Sequence, residues 1–152
     1  MDQETSRRPA DGPAANRVRP TRQLDRTEAL RLLATVSLGR LVFTHRALPA
    51  IRPTSHHVDG EDVLVRVDEG VSRASLAPTP GEPGLVLGYE ADAIDACTHL
   101  GWSVVVIGHA ELIVNRDEAE RLAALLDPWR DRPMADVLRI RSELVTGFRL
   151  GS

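Results

Sequence analysis

From Arg40 onward, the apolar residues of this chain recur with the period of a strand, and every run is short. LVF, VLVRV, LVLGY and WSVVVIG follow one another, separated by an Asp–Gly pair and by glycine- and proline-rich breakers. Strands are expected at 40–44, 50–58, 63–67, 85–90 and 102–113, with turns at 46–49 and at Asp59–Gly60. Meander-like connections between strands of this length predict a mainly β fold, an antiparallel barrel with helices at its rim. The valine-rich run after Trp102 reads as buried on both faces. That points to a dimer partner lying against the outer surface of the barrel.

Two helices flank the strands. Asp25 and Glu28 have the spacing of a capping box, Leu24 can staple onto Ala29, and Gly39 is the expected stop. Asn115 and Glu118 repeat the signal, followed by the apolar stripe Ala119, Leu122, Ala123 and Leu126, with Asp127–Pro128 as the end. The segment 136–150 is expected to be a final hairpin, VLRIR turning at Ser142–Glu143 into LVTGFRL. Residues 1–22 are poor in aliphatic side chains and cannot offset the entropy of ordering, so they are expected to form a disordered tail. Residues 23–152 then make one domain, as expected for a chain of 152 residues.

Composition narrows the function. A net charge of −3 argues against a nucleic-acid binder. No apolar run is long enough to span a bilayer or to serve as a secretory signal, so the expectation is a cytoplasmic protein. The single cysteine, Cys97, fits a reducing compartment and has no CxxC partner. All 19 basic residues are arginine. Without lysine there is neither a Schiff base for pyridoxal phosphate nor a P-loop, and any phosphate clamp must use arginine, hydroxyls or backbone amides.

The strand at 50–58, AIRPTSHHV, is polar where its neighbours are apolar. Alternation puts Arg52, Thr54, His56 and Val58 on one face and Ile51, Pro53, Ser55 and His57 on the other. The two histidines therefore diverge, and His45, His99 and His109 lack the spacing to complete a metal site. Pro53 cannot donate to a ladder, which places it at an edge or a bulge. Across the hairpin, Arg66 interrupts an aliphatic strand, and the glycine turn EGVSR follows with Ser72 and Arg73. Arg52, Arg66, Ser72 and Arg73 form a candidate phosphate site. The alternative is a set of surface ion pairs with Asp59, Glu61, Asp62, Asp68 and Glu69.

GRLVFT, LPAIRPTSHHVDG, VLVRVDEG, GWSVVVIGHAELI and LVTGFRL, in that order over residues 24–150, resemble the pyridoxamine 5′-phosphate oxidase-like family of FMN-binding split β-barrels. The resemblance implies a Greek-key-like antiparallel split barrel and a homodimer with FMN sites at its interface. It implies that Arg52, Pro53, Thr54, Ser55 and His56 run along the flavin ring, with Arg66 and Val67 near the ribityl phosphate. Ser72 and Arg73 would form the phosphate clamp, and Trp102 and Ser103 would reach the ring from the other subunit. The substrate-holding tryptophan and arginine of the pyridoxamine phosphate oxidases have no counterpart in LVTGFRLGS, so the implied oxidoreductase acts on a small molecule other than vitamin B6. No catalytic acid or base is implied, because a flavin carries the redox chemistry itself. Two alternatives keep the fold. One uses a deazaflavin; the other is a non-enzymatic module for flavin or haem, with His56, His57 or His99 as axial ligand.

Overall fold

The computed structural model describes residues 21–67, 85–126 and 136–151. Residues 1–20 of the expected tail, the proline-rich segment 77–84, the helix stop at Asp127–Pro128 and Trp129 lie outside the described residues. The chain enters the fold as β1 (Thr21–Gln23), which begins two residues inside the expected tail and pairs with the last strand.

Helix α1 (Arg26–Leu33) starts at its expected cap, where the Asp25 carboxylate accepts the Glu28 N–H at 2.8 Å. It buries Ala29, Leu30 and Leu33. The helix ends at Leu33, well before Gly39. Gly39 instead lies in β2 (Leu38–His45), where a Cβ would come within 2.5 Å of the Tyr89 ring. The glycine is there for close approach, not to end a helix.

Strand β2 turns through Arg46 and Ala47, with φ of 50° and 62°, into β3 (Leu48–Asp59). The left-handed pair makes this turn two residues long, so Leu48 and Pro49 belong to the strand. Gly60, with φ 62°, and Glu61 turn the chain again into β4 (Asp62–Val67). Next come β5 (Val86–Ile94) and β6 (Gly101–Leu112). Helix α2 (Arg116–Ala123) is capped by Asn115, whose side chain accepts the Glu118 N–H at 2.9 Å. It is followed by β7 (Asp136–Ile140) and β8 (Leu144–Leu150).

All pairings are antiparallel, and β6–β5–β2–β3–β4–β7 closes on itself through a β6–β7 pairing. Strands β8 and β1 continue outward from β6. The fold is a split barrel. Its split is made by β3, whose residues up to Ser55 pair with β2 while His56–Asp59 pair with β4. The interior is filled by Leu33, Leu41, Leu87, Tyr89, Val104 and Val106, all almost fully buried. Each such side chain contributes about 1.5–3 kcal/mol of transfer free energy. Leu122 of helix α2 and Leu126 just beyond its end cover the outside of β4 and β7 at Leu64 and Val137. No described helix is long and apolar enough to cross a membrane.

The expected final hairpin is not one. Strands β7 and β8 both lie along the same edge of β6, β7 opposite Ala110–Leu112 and β8 opposite Gly101–Ile107. Residues 141–143 form a bulge between them, with the Arg141 N–H donating to His109 O at 2.9 Å. Gly108 makes this fit, since a Cβ there would stand 2.8 Å from the Arg141 carbonyl carbon. The bulge also turns Ser142 inward. Its hydroxyl donates to Glu61 O and accepts from Arg26 Nη2 at 2.9 Å, which ties α1 to the β3–β4 turn.

Candidate functional site

Pro53, Thr54, Ser55 and His56 lie where β3 leaves β2 for β4. Pro53 pairs with Arg40 on β2 and has no N–H to offer on its other side. The β3–β4 ladder ends at His56–Val65. Beyond it, the Thr54 hydroxyl donates to Arg66 O at 2.5 Å and holds the two strands together. The alternation expected from sequence decides the rest. Thr54 and His56 turn into the barrel, while Ser55 and His57 turn outward.

His56 is 4 % exposed, and both ring nitrogens are engaged. Nε2 lies 2.8 Å from Leu33 O. A carbonyl only accepts, so Nε2 carries the proton. Burial lowers the pKa of His56, partly opposed by that bond to Leu33, so the ring is neutral and Nδ1 is an acceptor. Tyr89 supplies the donor: its hydroxyl stands 2.5 Å from Nδ1, the rings meeting edge to face at 4.9 Å. Thr54 O, at 3.3 Å, is the second acceptor within reach of that hydroxyl. To get there, Tyr89 crosses from β5 over β2 at Gly39. Burial raises the Tyr89 pKa well above that of a free phenol, so it stays protonated and able to donate. A buried phenolic hydroxyl needs a partner, and for Tyr89 that partner is His56.

The outer face is different. Leu38 on β2 is opposite Ser55 on β3, and Arg66 on β4 is opposite Val137 on β7. Continuing the β3–β4 register by one pair sets Ser55 beside Arg66. The Ser55 hydroxyl is fully buried and has no hydrogen-bond partner among the described residues. A buried hydroxyl left unpaired costs about 1–3 kcal/mol. At the Leu38 end of this row opens a cleft of about 580 Å³, lined by Leu38, His56, His57, Val58, Asp92 and Leu125 among others. Asp92 and Glu90 share Arg40, at 3.2 and 2.8 Å. Glu90 has its pKa raised, first by burial and then by Asp92.

The residues expected to meet a ligand divide between these two faces. Ser55 and Arg66 are together on the outside, with Pro53 exposed nearby. Arg52 is exposed, its Nη1 donating to Ile51 O at 3.1 Å. Thr54, His56 and Val67 are buried inward, so their backbones rather than their side chains border the outer row. Trp102 packs in the core of its own barrel, and Ser103 is half-buried opposite Phe148 and Asp92. Ser72 and Arg73, with Asp68 and Glu69, lie outside the described residues. Of the carboxylates weighed as surface partners for the site arginines, three meet other arginines. Asp59 and Asp62 bind Arg139 at 3.0 and 3.4 Å, and Glu61 meets Arg26 at 3.5 Å. As a haem ligand, His56 would have to surrender one of its two internal hydrogen bonds.

Outside the barrel, one apolar row crosses several strands. Ile51, Val42, Gly88, Ile107 and Leu144 are successive cross-strand partners from β3 to β8. Ile51 is 57 % and Leu144 54 % exposed, and Phe148 extends the patch at 44 %. The valine run of β6 is thus buried on its inner face by Val104 and Val106, while Ile107 on the other face is 38 % exposed.

A family model described as pyridoxamine 5′-phosphate oxidase matches residues 25–149. An uncharacterized protein of Mycobacterium tuberculosis is 42 % identical over 128 residues, 84 % of each chain. Among solved structures, a Corynebacterium glutamicum protein described as a candidate pyridoxamine 5′-phosphate oxidase is 30 % identical. Its TM-score is 0.71, over 88 % of this chain and 100 % of that one. An FAD binding protein of Mycobacterium smegmatis is 28 % identical, with a TM-score of 0.62 over 86 % of this chain and 98 % of its own.

Proposed function

This chain belongs to the pyridoxamine 5′-phosphate oxidase family, and we propose that it is a flavin-dependent oxidoreductase, a homodimer holding FMN against the outer face of β3 and β4. The observation that carries the reading is the Ser55 hydroxyl, buried beside Arg66 without a partner among the described residues. A flavin ring offers acceptors and an N–H along one edge, which would satisfy such a hydroxyl. Its phosphate would suit the guanidinium of Arg66, with Ser72 and Arg73 as the rest of the clamp. When bound, the flavin supplies hydride and electron transfer; the chain's part is to bind it, orient it and keep water away.

The second copy belongs on the apolar row from Ile51 to Leu144. That row is on the same outer surface as Leu38 and Ser55, so a two-fold partner laid along it would wall the ligand face from the other side. Ser103, turned toward that surface, is the residue a partner would contribute. Trp102 would act from the core behind it. The substrate is a small molecule other than vitamin B6, admitted through the cleft beside His57 and Asp92.

FAD is the second reading, favoured by the similarity to the mycobacterial FAD binding protein. Chromatography of the flavin released on denaturation separates the two. Ser55→Ala and Arg66→Ala should each weaken flavin binding in a fluorescence titration. Unchanged affinity in both would remove the assignment of the ligand to this face.

A further inference from the structure

Three residues distant in sequence meet at one point inside the barrel. Gly39 on β2 pairs with Thr54 on β3, and the Tyr89 side chain lies over Gly39 to reach His56, two residues beyond Thr54. His56 is fastened at three points. Its backbone N–H donates to Ser37 O at 2.9 Å, its Nε2–H to Leu33 O at 2.8 Å, and its Nδ1 accepts from Tyr89. Leu33 is the last residue of α1, and Ser37 leads into β2. The stretch where β3 changes partners is thus held from the helix, from β2 and from β5 at once. In a strand, neighbouring side chains point to opposite faces, so a ring locked inward at 56 obliges the side chain at 55 to point outward.

We infer that His56 and Tyr89, with Gly39 as the space that lets them meet, are positioning residues that set the Ser55 hydroxyl toward the ligand face beside Arg66. The inference rests on the flavin reading above. Neither ring needs to touch the ligand. Tyr89 is fully buried and His56 nearly so, and both act through the β3 backbone. Because Nδ1 and Thr54 O are both within reach of one phenolic proton, losing the Tyr89 hydroxyl unties both His56 and the backbone at Thr54. A packing role alone would not couple these groups to Ser55.

The test is a double-mutant cycle on the full chain, titrated with FMN and with FAD. Tyr89→Phe keeps the ring and removes the hydroxyl. It should weaken flavin binding about fivefold to tenfold, the size of one neutral hydrogen bond. In the Ser55→Ala background the same change should weaken it no further, because its effect passes through Ser55. Equal losses in both backgrounds, or no loss in the wild-type background, would overturn the inference. Should Tyr89→Phe not fold, the wild-type protein answers alone. Adding flavin should shift the ¹⁵N resonances of the His56 ring and slow amide exchange at Ser55, and resonances left in place would overturn it. A wild-type protein that binds neither FMN nor FAD would remove the flavin reading and this inference with it, an outcome distinct from binding without coupling.

Discussion

The hydroxyl of Tyr89 on β5 donates to Nδ1 of His56 on β3 at 2.5 Å, across the intervening strand β2. The bond sits in an interior otherwise filled mainly by apolar side chains, where an unpaired phenol or imidazole would be costly. It therefore fixes a single arrangement of three strands, and the arrangement depends on a neutral histidine.

That neutrality gives a pH dependence with a definite sign. Burial holds the His56 pKa below its unfolded value of about 6.5. Above that value both states are neutral and the group adds no slope. As pH falls below it, the unfolded chain takes up a proton that the folded one resists, so stability declines until the folded pKa is reached. The slope from this group is at most about 1.4 kcal/mol per pH unit. Glu90, with its pKa raised by burial and by Asp92, works in the opposite direction, the folded state gaining stability as pH falls through the raised pKa. Urea denaturation from pH 7 to 5 should show the decline in the wild type and lose it in His56→Gln, where Glu90 is unchanged.

Gly39→Ala should destabilise the barrel by about 1–3 kcal/mol, the usual cost of overpacking. The new Cβ would meet both the Tyr89 ring and Glu90 O. Chemical denaturation measures the loss. The accompanying sign is a change in the His56 imidazole resonances, since the ring that must move is the one that binds it.

Gly108→Ala tests the bulge. The added Cβ would approach the backbone of Arg141, which cannot rotate away as a side chain can. The expected loss is about 3 kcal/mol, at the upper end for overpacking, and a denaturation midpoint equal to the wild type would contradict the bulged register.

The apolar row predicts the oligomeric state. Ile107→Asp places a charge at the centre of the stripe, opposite Gly88 and Leu144. Light scattering after size exclusion should find a dimer for the wild type and a monomer for the variant, with little change in far-ultraviolet circular dichroism. A variant that remains dimeric would put the interface elsewhere.

Local signals read well because their causes are local. Asp25 with Glu28 and Asn115 with Glu118 are caps made within four residues, and Gly60 supplies a left-handed turn residue between β3 and β4. The alternation through AIRPTSHHV also held, since strand geometry alone separates Thr54 and His56 from Ser55. Which of those faces is the interior is a tertiary fact, settled by Tyr89 thirty-three residues beyond His56. Gly39 has the composition of a helix stop, but its reason is a ring from another strand. The polar break Ser142–Glu143 looks the same whether a chain turns back or bulges. Only Gly108 on the partner strand distinguishes them.

The visible absorption spectrum of the purified protein, followed by identification of whatever denaturation releases, tests the central claim most directly. The account predicts the two bands of an oxidised flavin, present on purification or restored by adding FMN or FAD, and diminished in Ser55→Ala and Arg66→Ala. A colourless protein that takes up neither flavin would contradict it.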